Sequence, residues 1–444
     1  MSRTPILRHG RRLSALLVTL LLACNPAPPT QPPTAAVGPT SSAPLTPSPN
    51  PSAIGTNTPS PTPSASPSPS VTATHTPGPM PSPTVAPPTA PASPEAGFER
   101  RLQRILNAQR EAYAIPGLGA AVLFADGTRW TGGSGLAQLE ERQAADGDTP
   151  FVVGSISKTF VAATIMQLAE EGTLSLDDRL ARWLPDHPRA GQVTLRQLLD
   201  HTSGEFNYFE HPAYNRRVFG EPAKEWTPSE ILTTFRSSAY FAPGTGYHYS
   251  NTGYVILGMV IEAATGRPLG EEYRNRFLEP LGMADTFFQG DGPPPPRSAH
   301  GYLVGQRGPR HITDGSDYRP TTSAATVAWA AGSVVASAHD LATWADALYG
   351  GELLEPASLA QMIDFNANLY SGRAYGLGTR TRLILGRRVV GHTGSLRGFA
   401  AAMWHFPAEG ISVVVLSNRG RVDVNPIADR LAAAALSAAG YTSP

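Results

Sequence analysis

Lysine is almost missing from this chain. There are two in 444 residues, against 33 arginines. Cysteine occurs once, at Cys24, which excludes an intramolecular disulfide and a cysteine metal site. There is no H-E-x-x-H, no Gly-Lys-Ser/Thr loop and no G-x-S-x-G elbow. Zincin, nucleotide-binding and α/β-hydrolase chemistries therefore find no support, and no cofactor or metal is implied. After residue 24 no apolar run is long enough to span a bilayer.

Charge is absent from one long stretch. Residues 25–94 hold 23 of the 44 prolines and no Asp, Glu, Lys or Arg. Such a segment buries no core and is expected to stay extended, reaching up to ~200 Å at polyproline rise. Residues 1–24 before it read as a signal peptide, with Arg3, Arg8, Arg11 and Arg12 ahead of an apolar run from Leu13 to Leu22. The run ends in Leu21-Leu22-Ala23-Cys24, which resembles the bacterial lipoprotein cleavage box, where the cysteine takes the lipid. The alternative is an ordinary secretory signal with an incidental cysteine. Lipidation at Cys24 implies export to the cell envelope and a membrane anchor. Without the signal peptide, 31 basic groups face 35 acidic ones, a balance that argues against nucleic acid as a partner.

The two lysines are then worth locating. Lys158 lies in Ser155-Ile156-Ser157-Lys158, just before an apolar helix from Phe160 to Ala169. Arginine stays protonated at any workable pH, whereas a desolvated lysine can lose its proton and act as a base. A serine three residues earlier shares its helical face. The pair is a way to make a serine hydroxyl nucleophilic without a histidine. The serine would also sit at a helix N-terminus, which favours developing negative charge.

The folded part is read as 95–440, which at this size suggests two lobes. Phe98, Leu102, Ile105 and Leu106 predict an amphipathic helix over 97–113. A hairpin follows, 119–124 and 128–131 around Asp126-Gly127. A short capped helix over 194–199 and helices over 252–264 and 338–348 come next, and 289–328 reads as loop. Strand-like runs cover 379–385, 397–406 and 411–417, and an alanine-rich helix spans 425–439. The aromatic stretch 205–249 reads as the core of a helical lobe. Strands at both ends predict an α/β fold, with one sheet built from the two chain ends, flanking helices and a mostly helical second lobe.

Two further motifs join Ser155 and Lys158: Tyr249-Ser250-Asn251, and His392-Thr393-Gly394-Ser395. In order and spacing the three resemble the S-x-x-K, Y-x-N and K/H-T-G motifs of the penicillin-recognising serine hydrolases. Leu198-Leu199-Asp200-His201-Thr202-Ser203-Gly204 and Ala330-Ala331-Gly332-Ser333 are similar to the branch holding class C β-lactamases, D-alanyl-D-alanine carboxypeptidases, D-aminopeptidases and esterases. The resemblance implies a β-lactamase-like fold and an acyl-enzyme on Ser155. Lys158 would take its proton, and Tyr249 would be a second proton carrier, its ionisation eased by ammonium charge. The oxyanion would rest on the backbone N–H groups of Ser155 and Ser395. Asn251 would bond the substrate amide, and His392 and Thr393 would line the far wall.

Histidine in the third motif brings only part of a charge near neutral pH, which weakens the case for a β-lactamase. Arg380 or Arg382 is a substitute grip for a carboxylate, if a turn at Gly386-Arg387 sets Thr381 opposite His392. The expected substrate is a small peptide or ester, with D-amino-acid peptides of the peptidoglycan type first. An esterase, a β-lactamase and a non-hydrolysing penicillin or peptidoglycan sensor remain as alternatives.

The lipid anchor is testable. Cys24→Ser should release the protein from membrane fractions, and a chain starting near Glu95 should keep full specific activity. A Cys24→Ser protein still held in membranes would refute the anchor.

Overall fold

Strands buried at every position belong in the middle of a sheet covered on both faces. Phe399–Phe406 and Ile411–Ser417 are of that kind, with all positions buried. A computed structural model describes residues 94–292, 295–305, 308–311, 322–365 and 375–441. The expected signal peptide, Cys24 and the linker up to residue 93 lie outside the described residues.

The main sheet has seven strands: β1 (Gly117–Leu123), β2 (Arg129–Gln138), β3 (Gln143–Ala144), β4 (Arg380–Ile384), β5 (Arg387–Leu396), β6 (Phe399–Phe406) and β7 (Ile411–Ser417). Their order is β3-β2-β1-β7-β6-β5-β4, antiparallel throughout. β1 pairs with β7, so one sheet is indeed assembled from both ends of the folded region. The main helices are α1 (Pro94–Ala112), α2 (Ser157–Glu170), α3 (Asn251–Thr265), α4 (Ala338–Tyr349) and α5 (Asn425–Ala438).

The period of two divides the sheet's side chains between two cores. Leu118, Ala120, Val122, Trp404, Val413 and Val415 pack with Leu102 and Leu106 of α1 and Ile427 and Leu431 of α5. Ala121, Leu123, Met403, Val414 and Leu416 pack on the other face with α2 and α4. There Phe160 of α2 stacks on Trp344 of α4 at 3.9 Å. A short helix, Leu195–Leu199, starts at a capping box in which Thr194 and Gln197 satisfy each other's backbone N–H.

Some expectations need correction. α1 starts at Pro94, three residues early. The stretch expected as loop holds a small hairpin, Tyr302–Gly305 with Gly308–His311, and a helix, Thr322–Ala328. β6 begins at Phe399, because Gly398 takes a left-handed turn at φ +92°. The β4–β5 turn is Leu385-Gly386, both at positive φ, one residue before the expected one. Thr381 therefore faces Val390, and Arg380 faces Gly391. The register differs from expectation by two residues, so each side chain keeps its expected face.

Ser155 lies in a 3-10 turn, Gly154–Ile156, that leads into α2. A small sheet of Phe151–Val152, Val334–Ala336 and Phe287–Phe288 holds that turn. Val153 N–H donates to Val334 O, Val334 N–H to Ser157 Oγ, and Ser157 Oγ–H to Gly154 O, at 3.0, 3.0 and 2.7 Å. The turn lies against β5 backbone to backbone. A Cβ on Gly394 would stand 1.7 Å from Val153 O, and one on Gly154 would stand 2.7 Å from Ser395 N. Gly154 is also at φ +54°.

Gly394→Ala should therefore part β5 from the Ser155 turn, costing ~1–3 kcal/mol of stability and nearly all activity. Gly191→Ala is the control, since nothing lies within 4 Å of the added carbon. Thermal melts and ester hydrolysis check both. A Gly394→Ala protein with wild-type Tm and rate would show that this close approach is dispensable.

Candidate active site

The first turn of α2 carries Lys158 fully out of solvent. Its Nζ lies 3.1 Å from Ser155 Oγ, 2.8 Å from Asn251 Oδ1 and 2.7 Å from Ala331 O. Burial holds its pKa well below the usual lysine value, and the Arg380 charge adds to this. A neutral amine has two N–H donors and one lone pair. Asn251 Oδ1 and Ala331 O accept the two hydrogens, which leaves the lone pair for the Ser155 hydroxyl. The amine also stands 5.1 Å from the centre of the Tyr249 ring.

Tyr249 is half-buried with its hydroxyl out of solvent, close to Ser155 and Arg380. Burial pushes its pKa up to about 12, against the opposing pull of Arg380 and the Ser155 hydroxyl nearby. This corrects the expectation that ammonium charge makes the phenol ionise easily. Lys158 is itself driven towards neutrality, so desolvation wins and the phenol keeps its proton. Tyr249 in this state is a proton donor.

His392 is likewise without charge. It is buried, and desolvation, Arg380 and Lys158 together hold its pKa well below the usual histidine value. Its Nδ1 lies against the Thr393 carbonyl, so Nδ1 carries the hydrogen and Nε2 accepts from Tyr375 Oη at 3.1 Å. The partial charge expected at the third motif is absent. His201 is buried and neutral for the same reason. Its Nδ1 accepts Ser250 N–H, and its ring packs 4.3 Å from that of Tyr249.

The cation at this end of the site is Arg380. Its guanidinium lies over the rings of Tyr249 and Tyr375, at 5.2 and 5.6 Å. Among the described residues no carboxylate pairs with it, and its Nε has no partner. Arg382 is engaged elsewhere, gripping both oxygens of Asp429 at 2.7 and 2.6 Å. Of the two arginines, Arg380 is the one without a carboxylate partner among the described residues, and it stands opposite a glycine that offers no competing side chain.

Asn251, expected to bond a substrate amide, also has partners within the protein. Its Oδ1 accepts from Lys158 and its Nδ2 donates to Asn207 Oδ1 at 3.1 Å, leaving one amide hydrogen for any substrate. Ser155, Tyr249, Arg380, His392, Thr393 and Ser395 line one cavity of about 430 Å³. Ser395 and Arg421 continue into a second of about 620 Å³, walled by Phe209, Tyr214, Phe219 and Leu396. Part of the aromatic stretch therefore does face open space. Among the described residues no cluster of His, Cys, Asp or Glu could hold a metal. Sequence reasoning passed over Asn207, Tyr375 and Arg421, which sit in loops and carry no motif.

Comparison with known proteins matches residues 102–437 to the Beta-lactamase family model. A D-aminopeptidase of Cereibacter sphaeroides is 30% identical over 358 residues, covering 77% of this chain and 64% of that protein. A penicillin-binding protein of Bacillus subtilis is 28% identical over 297 residues, covering 64% of each. The match thus spans a little under two thirds of both relatives. Among solved structures, a D-stereospecific amidohydrolase from Streptomyces is 32% identical with a TM-score of 0.64, covering 74% of this chain and 97% of that one.

The pH profile tests the state of the amine. With a neutral ester, kcat/KM should rise as pH climbs through the depressed Lys158 pKa and then stay flat, because Tyr249 ionises only near about 12. A rate that keeps climbing to the ordinary lysine value of 10.5 would show that burial does not perturb this amine.

Proposed function

The chain belongs to the beta-lactamase family of serine hydrolases, and we propose that it forms an acyl-enzyme on Ser155 with D-amino-acid peptides that end in a free carboxylate. Arg380 carries this reading. It is a permanent cation with no carboxylate partner among the described residues, in the same cavity as Ser155. A substrate carboxylate there gains charge-assisted hydrogen bonds and places the preceding amide over the serine. The relatives, a D-aminopeptidase and a penicillin-binding protein, support the substrate class.

In this mechanism the Lys158 lone pair takes the Ser155 proton as Oγ bonds to the carbonyl carbon. The backbone N–H groups of Ser155 and Ser395 hold the oxyanion. The carbon–nitrogen bond breaks, and the leaving amine takes a proton from Tyr249, which Lys158 replenishes. Water then attacks the ester carbon and gives one proton to Lys158; the carbon–Oγ bond breaks, and Lys158 returns that proton to Oγ, which restores the Ser155 hydroxyl and releases the acid. The acyl portion extends towards the aromatic cavity beyond Ser395. Tethering through Cys24 and 25–94 would put this chemistry where cell-wall stem peptides are found.

One observation favours a second reading as a D-aminopeptidase. Asp423 is exposed on the cavity wall and offers a carboxylate to a substrate ammonium.

Arg380→Ala should lower kcat/KM for an N-acetylated D-Ala-D-Ala peptide by ~1.5–3 kcal/mol, the scale of a hydrogen bond to a charge, and leave a neutral p-nitrophenyl ester within about twofold. Equal losses on both substrates would sink the carboxylate role. Turnover of D-alanine amide with none of the blocked peptide would favour the aminopeptidase.

A further inference from the structure

The orientation of Asn251 is not fixed by Asn251 itself. An asparagine amide presents either oxygen or nitrogen, and only the oxygen suits Lys158 as a base. With nitrogen turned towards the amine, the amide would compete with Ser155 for the lone pair. Something must hold the amide, and a chain of bonds leads outward from it.

Asn207 Oδ1 accepts from both the backbone N–H and Nδ2 of Asn251, at 3.1 Å each. The first of these caps α3, whose own N-cap residue, Ser250, makes no side-chain cap bond. Asn207 Nδ2 donates to Glu210 Oε1 at 3.0 Å. Tyr240 Oη donates to Glu210 Oε2 at 2.7 Å and accepts Asn207 N–H at 3.2 Å. The carboxylate is ionised: its bonds from Asn207 and Tyr240 and the nearby His248 outweigh its slight burial and lower its pKa.

An ionised carboxylate only accepts. It therefore faces the nitrogen of Asn207, whose oxygen must face Asn251. Two N–H groups converge on that oxygen, so the Asn251 nitrogen points to it and the Asn251 oxygen points to Lys158. Turning the Asn207 amide over would lose all three of its side-chain hydrogen bonds at once.

We propose that Glu210, acting through Asn207, is the positioning residue that sets the Asn251 amide and so aims the Lys158 lone pair at Ser155. The inference rests on the reading of Lys158 as the base. Glu210 does not line the cavity that holds Ser155 and is about half exposed, so it acts without touching substrate there.

The test uses the full-length protein with p-nitrophenyl acetate, Ser155→Ala as the blank, and a thermal melt for each variant. Asn207→Leu and Glu210→Ala should lower kcat by about tenfold or more, the scale of a misplaced catalytic group, and leave KM within about twofold. Asn207→Asp alone sets two carboxylates against each other and should lose a similar factor. Adding Glu210→Gln reverses donor and acceptor between the pair, keeps an acceptor facing Asn251, and should recover most of kcat. Full kcat in Glu210→Ala overturns the proposal. So does a double variant as slow as Asn207→Asp at wild-type Tm, or a loss of kcat that only follows loss of Tm. A wild-type protein no faster than the Ser155→Ala blank would overturn the hydrolase reading, and this inference with it.

Discussion

The burial of one amine organises this protein. A lysine sealed from water has a high cost as a cation, so it tends to stay neutral, and a neutral amine is a base. That burial needs walls from distant parts of the chain. α2 supplies Lys158, the start of α3 supplies Asn251, and the Ala330–Ser333 turn supplies a carbonyl. Each wall contributes an acceptor as well as a surface, so desolvation does not leave the N–H groups unpaired. Stability and reactivity are opposed here: the same burial that makes the amine useful adds nothing favourable to the fold.

Arg380 completes the electrostatics. Arginine holds its proton where lysine and histidine do not. The Arg380 guanidinium therefore keeps its charge while helping to depress Lys158, His201 and His392. Around Ser155 and Lys158 the site thus sets the Arg380 guanidinium among neutral polar groups, with Arg421 and Asp423 further along the cavity wall. On the proposed reading, such an arrangement would offer a substrate carboxylate a cation while leaving Lys158 and Tyr249 uncharged. Tyr249, between the amine and the guanidinium, stays protonated because desolvation exceeds the pull of Arg380 and the Ser155 hydroxyl.

The sheet makes this geometry reproducible. β5 carries the third motif along the edge of the Ser155 turn, and two glycines, 154 and 394, let the backbones meet. The turn itself is pinned by Ser157, one residue before the lysine, through bonds to both Gly154 and Val334. Ser155, Lys158 and the Ser395 N–H are thereby tied to rigid elements, with the loops carrying the residues that support them.

Much of this was legible in the sequence, for definable reasons. Alternating and continuous apolar runs marked β1, β6 and β7, and helical spacing marked α1 and α3, because burial imposes those periods. The scarcity of lysine singled out Lys158, and three short motifs in order indicated which distant segments meet. The face of Arg380 was readable from strand parity, even though the turn was misplaced by one residue. What the sequence did not contain was the protonation of the site. The low pKa of His392, the high pKa of Tyr249 and the engagement of Arg382 by Asp429 all depend on how deeply each group is buried and what stands beside it. The Glu210–Asn207–Asn251 chain likewise joins a loop to a helix start some forty residues away, and no local pattern announces it. Composition and periodicity determined the elements and the reactive pair. Only the packed tertiary structure decided which groups carry charge, because desolvation belongs to the assembled site and to no residue alone.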